Sequence, residues 1–247
     1  MPVDIFDYLM MRKSRLMSKI NNIKDLTLGF ITPGENELKV SFKTFENYYK
    51  LKDCAKREGI QLGVISSYRS FDQQKIIWNK KAQGLRPLYS KSGALLDYDQ
   101  LSQEELLEAI LNWSAIPGAS RHHWGTDIDI YDESKVESKE EVELLPKESE
   151  PGGKFEKLHT WLSEQVKENK SFGFFRPYSK DLGGVNREDW HISYYPESNE
   201  ILNNFTLDIF IKMLNEQDIL LKNLLLKNPD FYFEKYVKNI SPPAWSN

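Results

Sequence analysis

The sequence predicts a single α+β domain with a helical C-terminal extension, and three observations predict it. Stretches with helical apolar spacing alternate with short apolar runs of strand length until about residue 200. From Phe205 onward only the helical spacing continues. No internal repeat or low-complexity tract divides the 247 residues, a length that can bury one sizeable core. The domain is therefore read as residues 1–247, with a core at about 60–200 and an extension over 201–247.

The elements follow in order. Phe42, Phe45, Tyr48, Tyr49 and Leu51 recur at helical intervals, and Gly59 is placed to stop that helix. In QLGVISSYRS, Leu62, Val64 and Ile65 read as a short buried strand that ends in a polar turn over residues 66–70, a natural place for functional side chains. Asp72 is a candidate N-cap for a helix through Ile76, Ile77 and Trp78. A further helix starts at Ser102, because Glu105 three residues on completes a capping box. The acidic, turn-rich stretch from Asp132 to Gly153 reads as a long, solvated surface loop. Lys154 to Val166 returns to helical spacing, and GFFRPY and EDWHISYYP read as extended. The last stretch, Phe205 to Val237, reads as helical packing divided at Pro229, with no chemistry of its own.

Composition excludes several classes of function. Thirty-three basic against 37 acidic residues leave a net charge of −4 and no basic block able to grip a phosphate backbone, so nucleic acid is not an expected partner. No uninterrupted apolar run approaches the roughly 20 residues of a membrane span. The first twenty residues place Asp4 and Asp7 ahead of the apolar ones and interrupt these with Arg12, Lys13 and Arg15, which is not the order of a secretory signal, and this favours a cytoplasmic location. The single cysteine, Cys54, has no partner for an internal disulfide and reads as an ordinary packed or half-exposed thiol. Nothing in the sequence sets an oligomeric state.

The chemistry concentrates in two segments. His122 and His123, two of only four histidines, stand directly ahead of a strand that carries Asp127 and Asp129 on one face. Such a carboxylate pair is out of place on a core-facing strand unless something cationic meets it. In the second segment, EDWHISYY, Glu188 stands three residues before His191. Two histidines and one carboxylate leave a coordination position open for water, which is the shell of a catalytic zinc, and a neighbouring glutamate supplies a base. The same donors also suit a non-haem iron or manganese triad. Residues three apart on a regular strand face opposite ways, so Glu188 has to lie on the loop before the strand if it is to join His191.

These motifs resemble the LAS group of zinc peptidases, which includes the VanY-type D-alanyl-D-alanine carboxypeptidases. The pattern S-x-H-x-x-G-x-x-x-D is met by Ser120, His122, Gly125 and Asp129, and E-x-W-H by Glu188, Trp190 and His191. A Y-R-S turn with a glutamine downstream is met by Tyr68, Arg69, Ser70 and Gln74, so three separated motifs occur in the right order. The resemblance implies a small antiparallel sheet that carries a zinc groove between helices. It implies His122, Asp129 and His191 as Zn2+ ligands, and Glu188 as the base. Arg69 would stabilise the oxyanion or orient the substrate carbonyl, while Ser120 would bind the terminal carboxylate and Gln74 would line the substrate site. The implied reaction is hydrolysis at the D-Ala-D-Ala end of a peptidoglycan stem peptide or its precursor. The alternatives are an L-Ala-D-Glu-type endopeptidase, a D,D-dipeptidase and a non-catalytic zinc-stabilised binding module, against which the retention of Glu188 and Arg69 counts. The sequence departs from the pattern at Asp127, which stands where a small residue is usual; it either tunes the metal or bonds the turn. His123 and His159 read as structural or solvent-facing, and Trp124 and Trp190 as core aromatics.

Overall fold

The computed structural model describes residues 38–246; the first twenty residues, read as lacking the order of a secretory signal, lie outside them. Ser41 caps the first helix, α1 (Phe42–Arg57), by accepting a hydrogen bond from the Thr44 amide. Tyr48, Leu51 and Ala55 turn inward from α1, and Gly59 leaves the helix at φ +71°, a left-handed conformation that suits glycine. The chain then enters β1 (Leu62–Ser66).

Helix α2 (Phe71–Ala82) is capped by Ser70, not by Asp72: Ser70 and Gln73 form a full capping box, and Asp72 sits in the first turn, where its charge still suits the helix dipole. The capping box at Ser102 and Glu105 opens α3 (Gln103–Leu111) as the sequence predicts. Next come β2 (Asp127–Asp132), α4 (Glu156–Lys167), the two-residue β3 (Phe174–Phe175) and β4 (His191–Tyr194). The four strands form one antiparallel sheet in the order β1-β2-β4-β3. The chain therefore has the expected α+β architecture, with a small antiparallel sheet flanked by helices.

The C-terminal extension consists of α5 (Tyr195–Asn204), α6 (Leu207–Glu216), α7 (Lys222–Lys227) and α8 (Pro229–Phe233), which ends in a π turn over Glu234–Lys238. Pro229 opens α8 at its first turn, where the missing N–H is no loss. Among the described residues two large apolar clusters hold the fold, beside a small one around Trp124. One lies under the sheet, where Ile128, Ile130 and Ile192 meet Leu51, Leu158 and Leu162 from α1 and α4. The other joins Trp78 of α2 and Leu107 and Ile110 of α3 to Phe205, Phe210, Met213 and Phe233 of the C-terminal helices. The extension is thus half of a core shared with α2 and α3. No helix among the described residues is long and apolar enough to cross a membrane.

Most of the acidic stretch between β2 and α4 is exposed, as its composition predicts, but the part nearest α4 is held in place. The stretch folds back through short 3-10 turns, and Glu148 and Ser149 are buried in it. The Glu148 carboxylate accepts from the amides of Glu143 and Leu145 and pairs with Lys154 Nζ at 2.8 Å. Ser149 Oγ donates to Asp189, next to Glu188, at 2.9 Å. One buried glutamate thus ties down a segment that its charge content alone would send to solvent.

Candidate active site

The sheet register assembles the site. Asp129 on β2 pairs directly with His191 on β4, so both side chains leave the same face of adjacent strands. A bulge in β1 brings Ser66 opposite Asp129 and turns the chain towards Arg69. His122 comes from a 3-10 turn (Arg121–Trp124) that ends at Gly125, whose φ of +71° makes glycine the fitting residue there. Glu188 lies on the loop ahead of β4, as its spacing from His191 requires.

Three donors converge. Ligand atoms of His122, Asp129 and His191 all lie within 4.8 Å of one another, and all three residues are buried. His122 Nε2 is 3.2 Å from Asp129 Oδ2, and His191 Nδ1 is 3.3 Å from Asp129 Oδ1. Glu188 Oε2 stands 3.4 Å from the same His191 nitrogen. Each imidazole is tied at its other nitrogen. His122 Nδ1 donates to the Ser67 carbonyl at 2.8 Å, and His191 Nε2 donates to Asp127 Oδ1 at 2.9 Å. In the neutral rings those bonds hold the protons on the outer nitrogens, so the free lone pairs of His122 Nε2 and His191 Nδ1 face the carboxylate of Asp129.

That arrangement fits a dication. Asp129 Oδ1 is buried and has no hydrogen-bond partner, a costly state for a carboxylate oxygen unless a cation meets it. Burial alone would lower the pKa of His191, yet Asp127, Asp129 and Glu188 together raise it well above its usual value. Burial would raise Asp129, but His122 and His191 hold it well below the carboxylate range. Two imidazoles with one carboxylate are a donor set for zinc that leaves a position open. Asp127, fully buried, is a fourth partner of the cluster. Besides His191 it accepts from Arg121 Nε at 2.8 Å, Thr126 Oγ1 at 2.5 Å and Ser193 Oγ at 3.1 Å. Of the two readings of Asp127, its bond to His191 places it behind the ligand set.

A cavity of about 300 Å3 opens over the cluster, lined by Arg69, Ser120, His122, Asp129, Glu188 and His191. Arg69 is held by Gln74 Oε1 at 2.7 Å and Ser66 Oγ at 2.9 Å, and its guanidinium reaches to 4.0 Å from Asp129. Burial lowers the pKa of Arg69, with Asp129 and Glu188 pulling the other way. Ser120 is buried at the cavity wall and its side chain makes no capping bond to the turn it precedes. Gln74 does not reach the cavity wall. It is 1% exposed, and its amide is used by Arg69 on one side and by the Ala115 carbonyl, at 2.7 Å, on the other. The structure therefore brings six of the seven sequence-predicted site residues to one cavity and puts Gln74 one layer behind Arg69.

His123 is structural: its two nitrogens bond the Gly118 amide at 3.0 Å and the Arg69 carbonyl at 2.6 Å, which fixes the loop below Arg69. His159 is likewise enclosed, beside Arg176 at 3.2 Å. Trp124 is fully buried, whereas Trp190 stacks on Trp113 at 6.4 Å and both line the cavity. Sequence reasoning missed Tyr178, whose ring packs on His191 at 5.1 Å, and Leu144 and Leu145, which close one wall. Burial pushes the Tyr178 hydroxyl up to about 12, so it stays a neutral donor. The only signal for Tyr178 is the extended reading of GFFRPY, and nothing in the acidic stretch marks the two leucines.

Comparison with known proteins gives a consistent result. The family model described as VanY, D-alanyl-D-alanine carboxypeptidase, matches residues 37–197, more than half of the chain. An uncharacterised protein of Haemophilus influenzae is 33% identical over 124 residues, covering 49% of this chain and 92% of that protein. A D-alanyl-D-alanine carboxypeptidase of Enterococcus faecalis is 26% identical over 174 residues, covering 69% of this chain and 52% of its own length. Among solved structures, VanYB in complex with D-alanine-D-alanine superposes with a TM-score of 0.47 at 21% identity, over 75% of this chain and 87% of that one.

Proposed function

This chain belongs to the VanY family of D-alanyl-D-alanine carboxypeptidases, and from that premise we propose that it is a zinc peptidase that removes the terminal residue from a peptidoglycan stem peptide or precursor ending in D-Ala-D-Ala. The observation that carries this reading is the trio of His122 Nε2, Asp129 and His191 Nδ1, turned towards one point with Glu188 beside it.

Held by these side chains, zinc supplies a Lewis acid that draws the pKa of a water towards about 7 and polarises a carbonyl. The remaining work falls to the chain. Glu188 is near enough to the metal-facing nitrogen of His191 to take a proton from the attacking water and return it to the departing amine. Arg69, fixed by Gln74 and Ser66, presents donors to the oxygen that gains negative charge. Ser120 offers an uncommitted hydroxyl at the cavity wall for the substrate's terminal carboxylate. Trp113, Trp190, Leu144 and Leu145 exclude water from the reacting bond. No covalent intermediate is required.

Digestion of purified muropeptides with zinc-loaded protein, followed by mass spectrometry, tests the proposal. Loss of a single terminal D-alanine is the expected result. Release of the dipeptide D-Ala-D-Ala, or a cut only inside the stem, would replace the carboxypeptidase reading with a dipeptidase or endopeptidase. Elemental analysis of protein purified without added metal tests the ion, since abundant iron with little zinc would overturn it.

A further inference from the structure

The cavity carries positive charge that the zinc site does not use. Lys81 and Arg86 line it together with Arg69. Lys81 sits in the last turn of α2 and donates to Ser114 Oγ at 2.7 Å. Burial pushes its pKa down to about 8, with the Arg86 charge adding to the effect and the more distant Glu188 opposing it. Among the described residues neither Lys81 nor Arg86 has a carboxylate within 4 Å. The remaining acids at the cavity are committed elsewhere: Asp129 and Glu188 face the zinc site, and Glu143 pairs with Lys147. A partly enclosed ammonium with no carboxylate in direct contact is destabilising by itself, and a ligand that brings a charge to it offsets that.

Position says which ligand group this is. Gln74, Ile77 and Lys81 follow one another on a single face of α2, and Gln74 is the residue that holds Arg69. The Lys81 backbone lies about 10 Å along the axis beyond Gln74, and its ammonium, held at Ser114, is within reach of the charges of Arg69 and Glu188. The carboxylate of a single departing amino acid lies only about one residue length, roughly 3.5 Å, from the cleaved carbon. It falls near Arg69 and Ser120. With the chain end held at Arg69 and Ser120, a carboxylate that meets Lys81 and Arg86 in the same cavity comes from another residue of the peptide.

Building on the zinc-peptidase reading, we propose that Lys81 and Arg86 form a subsite for a side-chain or branch carboxylate of the substrate, so that the preferred substrate is a stem peptide with a free acidic residue upstream of the cleaved bond and not its amidated form. The subsite recognises charge and not the reacting atoms, so it acts on binding and leaves the chemical step alone.

Two peptides that end in D-Ala-D-Ala and differ only in an upstream Glu or Gln test this by calorimetry on zinc-loaded Glu188→Gln protein, which binds without turnover. The Glu peptide is expected to bind at least tenfold tighter, and Lys81→Gln with Arg86→Gln should bring the two affinities together. In active protein the same pair of substitutions should raise KM for the Glu peptide and leave kcat within about twofold. Equal affinities in the Glu188→Gln protein, or a preference that survives the double substitution, would overturn the subsite. So would a third peptide, amidated only at its C-terminus, whose affinity no longer responds to the double substitution, because that result assigns the cations to the chain end. Failure of unsubstituted protein to cleave any of the peptides counts against the proposed function instead; the acid-to-amide ratio is read from binding and stands apart from it.

Discussion

Replacing Asp127 separates its duty to the fold from its duty to the metal. Asp127 is fully buried and accepts from Arg121, His191, Thr126 and Ser193, while Arg121 is 3% exposed and among the described residues pairs with no other carboxylate. Asp127→Ala strands a buried guanidinium, and losing one member of a buried ion pair costs about 3–5 kcal/mol. Asp127→Ala combined with Arg121→Met removes both charges; replacing a buried pair by apolar groups is often near neutral, so the double variant should recover all but about 1–2 kcal/mol, the remainder reflecting the hydroxyls of Thr126 and Ser193. Zinc affinity should behave differently. The carboxylate that holds His191 Nε2 is gone in both variants, and loss of such a partner weakens metal binding about 10–100-fold, or about 1.4–2.8 kcal/mol. Urea unfolding of the metal-free proteins gives the stabilities without the contribution of bound zinc, and competition with a chromogenic chelator gives the affinities. A double variant with the zinc affinity of the unsubstituted protein would refute the orienting role. A single variant no less stable than the double would refute the buried-pair argument.

Other expectations concern the same frame. Glu188→Ala should lower kcat at least 100-fold while one zinc per chain remains by elemental analysis, and unchanged turnover would remove Glu188 from the chemistry. Arg69→Met should lower kcat about 100-fold, and Gln74→Leu should give a smaller loss of the same kind, because Gln74 acts through Arg69; an effect of Gln74→Leu on KM alone would return that residue to substrate contact. Chelation should lower the melting temperature and zinc should restore it, since an ion bound only by the folded state adds to its stability. His159 is held neutral by burial, which with the Arg176 charge lowers its pKa to about 3. The unfolded chain takes up that proton near pH 6.5 and the native chain does not, so His159 makes the protein lose stability as pH falls from about 6.5 towards 3. The difference in unfolding free energy between His159→Gln and the parent, followed across that range, should carry this slope; a difference independent of pH would show that His159 is not a buried neutral group.

Much of the site was legible because its parts are local. The run from Ser120 to Asp129 brings a histidine, a left-handed glycine and a strand carboxylate within ten residues, and the spacing of Glu188 and His191 required a loop before β4. The capping box at Ser102 was equally plain because it needs only four residues. What stayed hidden depends on distant partners. Gln74 sits in the family's motif, yet only the fold shows that its amide is taken up by Arg69 and the Ala115 carbonyl. Asp72 and Ser70 are both good caps, and the choice fell to the residue with Gln73 three positions on. Composition sent residues 132–153 to solvent, where most of them are, but a single buried charge at Glu148, paired with Lys154, holds the end of that stretch beside the cavity.

The contact between Gly118 and Met213 has a consequence for the order in which the protein becomes competent. At Gly118, φ +90°, a Cβ would come within 2.8 Å of the Met213 sulfur, so α6 lies directly on the loop that leads into the His122 turn. Translation releases residues from the N-terminal side at about 5–20 per second, and every metal ligand is therefore made before the helix on which this loop rests. A nascent chain that already contains His122, Asp129 and His191 still lacks the helix that backs the loop ahead of His122. The loop ahead of His122 is therefore backed only once the final helices are made, on the order of seconds after the donors themselves.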